Sequence, residues 1–161
     1  MKTKISTFLL AAVLLGSTAL FSSCGKEEEP GTGGGGSTPK ANSLTATIGT
    51  KILDPVAAPT VVYEAGTGNL NITVNDKDQV TTLAIYFNVN QGNSLTFGST
   101  AFGNVQTSAT SEGLYTADGG TITLTTNDKA NRIAEGTFSF SAKNLQQANV
   151  DVSNGKFYVK Y

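Results

Sequence analysis

The chain has 161 residues, about one domain's worth. Eleven basic against twelve acidic residues give a formal charge of −1, which leaves no basic patch for nucleic acid. There is no His, no Trp and one Cys, so imidazole is missing as general base and metal ligand and no intrachain disulfide can form. With 23 Thr, 18 Gly, 13 Asn and 13 Ser, and only 14% charged residues, the composition favours strands and turns. A secreted all-β domain is expected, with no active site and no cofactor.

Lys2 and Lys4 make a positive start, and Phe8 to Leu15 is an unbroken apolar run that ends at Gly16-Ser17-Thr18. A membrane-spanning helix needs about 20 apolar residues. The segment 1–23 therefore reads as a secretory signal peptide, outside the fold. Leu20-Phe21-Ser22-Ser23-Cys24 resembles the lipobox of bacterial lipoproteins: a large apolar residue, two small ones, then Cys. That resemblance implies a Cys24 thiol alkylated with diacylglycerol, cleavage before Cys24 and acylation of the new amine by a palmitate-type chain. Two or more acyl chains anchor stably, each buried methylene contributing about 0.8 kcal/mol. The mature chain would run over 24–161 with nine basic and twelve acidic residues, a net charge of −3.

Lys26, Glu27, Glu28 and Glu29 follow directly after Gly25. This resembles the surface-export signal of Bacteroidota lipoproteins and implies display on the outer face of the outer membrane. A solvated charge run at the start of a linker is the plainer alternative. Pro30 to Pro39 contains a run of four glycines. It lacks the Gly-Lys-Ser/Thr of a phosphate loop, so 24–42 reads as a lipidated Cys and a flexible tether. The 18 residues of 25–42 span about 23 Å on average.

The remaining segment, 43–161, alternates with period two. Leu44, Ala46 and Ile48 share one face, as do Leu70, Ile72 and Val74; Leu83, Ile85, Phe87 and Val89; Ile122 and Leu124; and Phe138, Phe140 and Ala142. A four-residue loop Asp76–Gln79 would pair Val74 with Thr81, Ile72 with Leu83 and Leu70 with Ile85. The arms 121–126 and 133–142 have even apolar positions on both sides. They need an odd loop or a bulge, for which Gly136 is the candidate. Asn154-Gly155 between two alternating runs predicts a two-residue hairpin that pairs Val152 with Phe157, Val150 with Val159 and Ala148 with Tyr161. The segment 90–116 is the least regular, and Asn144–Asn149 holds at most one helical turn. Ile72-Thr73-Val74-Asn75-Asp76-Lys77 echoes Leu124-Thr125-Thr126-Asn127-Asp128-Lys129, which reads as two similar turns. The fold expected is a single antiparallel β-sandwich or flattened up-and-down barrel of about nine strands.

The stretches Ile122–Asn144 and Val150–Val159 contain Gly136-Thr137-Phe138-Ser139-Phe140 and Asn154-Gly155-Lys156-Phe157. They resemble an uncharacterised family of Bacteroidota lipoproteins whose domains end in such a strand and an Asn-Gly-x-Phe hairpin. The likeness departs upstream, where no Trp stands near the first strand. It implies fold and location and carries no activity.

No residue set forms a catalytic constellation. Nucleophilic catalysis needs a base beside the nucleophile, and only lysines remain for that. Glu64, Glu112, Asp118, Glu135 and Asp151 are scattered carboxylates with nothing to pair them for glycoside hydrolysis. Asp76 and Asp78 beside Asn75 offer calcium-type oxygens. Thr81 and Phe87 stand where an EF-hand needs Gly and Glu, so a hydrated turn is expected and no metal site. Tyr86 and Tyr158 lie opposite their strands' core residues and would be exposed or pack in a second layer. The expected function is that of a lipid-anchored outer-membrane protein acting as a non-catalytic binding module for a protein or glycan. The alternative is a structural subunit of a surface or adhesive assembly. Membrane lipid, through acylated Cys24, is the one partner implied; nucleic acid is not.

Overall fold

A computed structural model describes residues 40–161. The expected signal peptide over 1–23, Cys24 and Lys26–Glu29 lie outside the described residues. Ten antiparallel strands form a single, strongly curled sheet, a half-barrel, which is the all-β fold expected with one strand more. They are β1 Ser43–Ile48, β2 Lys51–Ile52, β3 Thr60–Glu64, β4 Asn69–Asn75, β5 Thr82–Asn88, β6 Ser94–Thr96, β7 Ala101–Gln106, β8 Leu114–Asp128, β9 Ile133–Lys143 and β10 Asn149–Lys160. The order is β2-β1-β10-β9-β8-β7-β5-β4-β3, with β6 paired to β8. From β3 to β10 the chain is an up-and-down meander interrupted only by β6, which leaves the path to pair with β8. Among the described residues one short 3₁₀ turn, Ser111–Gly113, is the only helix, and no helix is long and apolar enough to cross a membrane.

Alternation decides the two faces, as period-two sequences require. Leu44, Leu70, Ile72, Leu83, Ile85, Phe87, Ile122, Phe138, Phe140, Val152, Phe157 and Val159 all enter one core inside the curl. The two edges of the sheet are tied by the strap that follows β2. Leu53 N donates to Ala46 O (2.9 Å), Lys77 N to Asp54 O (2.9 Å) and Val56 N to Asn75 O (3.1 Å), and Pro55 bridges Asp76. At the other end of the seam the Tyr63 and Tyr161 rings meet with centroids 4.4 Å apart, tilted by 46°.

Lys40 and Asn42, expected to end a flexible tether, are docked on the domain instead. Asn42 exchanges two hydrogen bonds with the Lys160 backbone (2.7 and 3.3 Å), and Lys40 pairs with Glu135.

Three expected registers are corrected. Asn154-Gly155 is not a hairpin turn. It lies mid-strand in β10, which pairs with β9 on one side and β1 on the other. Between Val152↔Phe140 and Gly155↔Phe138 the register slips by one, so Ser153 and Asn154 face a single residue of β9. Asn154 takes φ 53° there. This β-bulge inverts the inward parity from Val152 to Phe157, the same inversion that a two-residue turn produces. The partner strand it was expected to make is instead β9, reached through the loop 144–148.

The β4–β5 loop runs over 76–81, and the strands pair as Leu70↔Phe87, Ile72↔Ile85 and Val74↔Leu83. The shift from expectation is two residues, which leaves the faces unchanged. The β8–β9 hairpin does carry the bulge its parity demanded, but the extra residue is Thr125 on β8. Its hydroxyl donates to Glu135 O (3.1 Å). Gly136 sits opposite, where a Cβ would stand 2.3 Å from Thr123 O. The 144–149 segment makes no helical turn. The buried Asn144 organises it by accepting from Gln146 N (3.1 Å) and Ala148 N (2.9 Å) and donating to Glu112 O (2.8 Å).

Candidate functional site

Four strands in register build a row on the outer face. Val62 of β3 pairs with Asn71 of β4, Asn71 with Tyr86 of β5, and Tyr86 with Phe102 of β7. Their chain neighbours Leu70, Ile72, Ile85, Phe87 and Ala101 are fully buried, so alternation sends these four side chains outward. Phe102 is 53% exposed and Val62 54%. Tyr86 is half-buried, its ring 6.1 Å from that of Phe102 at 50°. This is an exposed aromatic–aliphatic row on the four strands that lead to the β3 edge of the sheet.

Mostly polar residues border it, with Glu64 their one charge. One flank is the cross-strand row Thr60, Thr73, Ala84 and Asn104. The other is Glu64, Asn69 and Asn88. The Glu64 carboxylate accepts from Asn69 Nδ2 (2.9 Å) and Thr67 Oγ1 (3.0 Å), which hold its pKa below the ordinary glutamate range. Asn88 Nδ2 donates to Asn69 Oδ1 (3.0 Å) and Thr67 O (2.8 Å). Asn71 Oδ1 accepts from Thr73 Oγ1 (3.2 Å).

Tyr86 therefore has an outward ring, as its strand position predicted. Tyr158 is half-buried on the outer face, but the Lys40 ammonium lies 4.2 Å over its ring. Tyr63 and Tyr161 pack against each other with tilted rings, and Tyr115 packs against the core. Phe102 was missed from the sequence. Its neighbours Ala101 and Gly103 are small, so nothing in the chain text marked the face on which it stands.

The Asp76–Asp78 turn holds an internal cation. Lys51 Nζ lies 2.5 Å from Asp76 Oδ2 and 2.5 Å from Asp78 Oδ2. Asp76 is only 3% exposed, which corrects the expected hydrated turn at that residue. Its second oxygen accepts from Asp54 N (2.6 Å). Asp78 Oδ1 accepts from Val80 N (2.9 Å) and Thr81 N (2.7 Å), and its Oδ2 also accepts from Thr81 Oγ1 (2.6 Å). The ammonium sits between the two carboxylates, and backbone amides and the Thr81 hydroxyl donate to their other oxygen positions. Hydrogen bonds from Lys51 hold both aspartates below their ordinary range, and the two carboxylates raise Lys51. A lysine so held is no general base.

The other carboxylates stay apart: Glu135 pairs with Lys40, Asp118 with Lys143 (2.7 Å), and Asp151 accepts from Ser141 Oγ (2.6 Å). Among the described residues no group of three or more His, Cys, Asp or Glu could hold a metal ion. Comparison with protein-family models, with curated proteins and with solved structures finds no match for this chain.

Proposed function

We propose that this protein is a lipid-anchored, surface-displayed lipoprotein whose β-domain acts as a non-catalytic binding module. Support for the anchor lies in the sequence: Cys24 at the end of a signal peptide, followed by Lys26 and Glu27–Glu29. The observation that carries the binding reading is the row Val62, Tyr86 and Phe102. Isolated exposed apolar residues need no explanation, but the Tyr86–Phe102 ring pair, with Val62 on the same cross-strand line beyond Asn71, is an exposed apolar surface of the kind that marks interaction sites. The row stands on hydrogen-bonded strands that run from the β3 edge inward to β7, so its backbone is held in place before any ligand arrives and little ordering entropy is lost on binding.

A photo-crosslinking amino acid placed at position 102 of the full-length protein, in its native cells, tests this. Ultraviolet light is expected to give discrete adducts from position 102 and none from position 145, where Leu145 is 83% exposed on a loop. No adduct at 102, or equal adducts at both, would overturn the reading.

One observation favours the structural-subunit alternative. β3 pairs with β4 alone and carries a single charge, Glu64, over Thr60–Glu64, and a weakly guarded edge is a template for strand addition. That reading expects crosslinks between copies of this chain from position 60.

A further inference from the structure

We infer that the Val62–Phe102 row binds a neutral polysaccharide. This rests on the binding-face reading above and names its ligand by chemistry. An exposed aromatic ring presents a negative π face, and its natural complement is a flat surface of weakly polarised C–H groups. A pyranose ring offers that surface on one side and hydroxyls around its rim. The protein supplies partners for both. Phe102 and Tyr86 provide the ring surface. Asn71 Nδ2 and the whole Asn104 amide make no hydrogen bond to another described residue. A primary amide carries donor and acceptor side by side, the pairing that adjacent sugar hydroxyls satisfy.

Charge decides against other polymers. The row and its flanks hold no Lys or Arg, so nothing neutralises a phosphate or uronate chain. The one carboxylate, Glu64, is already taken by Asn69 and Thr67 and would repel an anion. A protein partner is usually met by a face rich in Arg as well as aromatics, and Arg is missing here. The row crosses three inter-strand gaps, about 14 Å, which suits a stretch of polymer better than a single sugar. Such contacts are individually weak, and many displayed copies on one repeating polymer gain by avidity.

The test is affinity electrophoresis of the detergent-extracted full-length protein in native gels containing, in turn, mixed-linkage β-glucan, xylan, mannan or dextran, with polygalacturonate as the anionic comparison. At least one neutral polymer is expected to retard the protein, and polygalacturonate is not. Phe102→Ala should abolish the retardation, Phe102→Tyr should keep it, and Asn104→Ala should weaken it about fivefold. Leu145→Ala should change nothing. Unchanged melting temperatures establish that the variants are folded. No retardation by any neutral polymer, or retardation that survives Phe102→Ala, overturns the inference. A protein adduct from position 102 together with blank gels overturns the sugar and leaves the binding face standing. Blanks in both experiments overturn the two together.

Discussion

The rings of Phe87 and Phe157 meet with centroids 5.6 Å apart, although β7, β8 and β9 separate their strands in the sheet. Along a flat sheet four inter-strand steps would set them about 19 Å apart. The contact therefore measures the curl directly: the sheet folds over and packs its own inner face against itself. Both rings are buried, and Phe138 packs on Phe157 as well.

Phe157→Ala should accordingly cost about 3–5 kcal/mol, the range for deleting a buried aromatic from a core that cannot collapse around the loss. Urea denaturation of the parent and variant measures it. A loss below about 1 kcal/mol would mean that the curl is held elsewhere.

The Lys51 clasp should shape the pH dependence of stability. Asp76 and Asp78 have lowered folded pKa values, so their contribution is present above the unfolded aspartate value of about 3.9 and fades as pH falls through the folded values. Lys51 has a raised folded pKa, so its contribution is present below about 10.4 and is lost as pH rises past that. Lys51→Met leaves buried Asp76 without its cation. It should lower the melting temperature across that window and flatten both flanks. Melting curves from pH 2 to 11 check it; parallel parent and variant profiles would refute the clasp.

Gly155 is required by close approach. A Cβ there would stand 2.5 Å from Phe138 O and 2.6 Å from two Phe138 ring carbons. Gly155→Ala should destabilise by about 1–3 kcal/mol through overpacking. Asn154 carries the left-handed backbone instead, so Asn154→Val should cost about 1–2 kcal/mol and Asn154→Gly little. Denaturation midpoints separate the two mechanisms, since a two-residue turn would make Asn154 and Gly155 depend alike on positive φ.

Among the described residues the Tyr161 hydroxyl is buried without a hydrogen-bond partner, and burial raises its pKa. An unpaired buried hydroxyl costs about 1–3 kcal/mol. Tyr161→Phe, which keeps the ring contact with Tyr63, should be neutral or stabilising, whereas Tyr161→Ala should destabilise. A clear loss for the Phe variant, read by the same denaturation, would show that the hydroxyl is satisfied after all.

Processing gives the prediction at the other end of the chain. Cys24→Ala should leave an uncut precursor that takes up no fatty-acid probe, because the sequence holds no second thiol. Alanine at Lys26, Glu27, Glu28 and Glu29 should keep the protein membrane-bound yet shield it from external protease. Label on the Cys24→Ala variant sinks the anchor; unchanged protease access of the other sinks the export signal.

Face assignment was legible in the sequence, and pairing was not. Leu70, Ile72, Leu83 and Ile85 point inward as their alternation required, and a two-residue slip in register left that untouched. The slip arose because Thr81, which alternation assigned to a strand, closes the loop through Asp78. At Asn154-Gly155 a bulge and a turn invert parity alike, and only the presence of β9 and β1 on either side decides between them. The candidate site was half visible. Tyr86 followed from its strand, whereas Phe102 depended on what lies inside: Cβ atoms at Gly103 would already touch Phe97 and Phe140 at 3.0 and 3.1 Å. The interior beneath β7 is filled by rings from elsewhere, and no local pattern reports that.

The pairing of β1 with β10 has a consequence for how the chain is wired. The sheet's two edges, β2 and β3, are consecutive in sequence and joined by the 53–59 strap, while the first and last described strands lie side by side in its interior. A circular version of this connectivity, with Tyr161 joined to Lys40, would be a ring of neighbouring hairpins. Opened in the strap, that ring becomes a linear ribbon in which nearly every strand follows its spatial neighbour. In the natural order one closure, between Ser43 and Tyr158, spans almost the whole domain and has the largest loop entropy to overcome. The permuted order removes that closure and leaves only the short strap contacts to be made at long range.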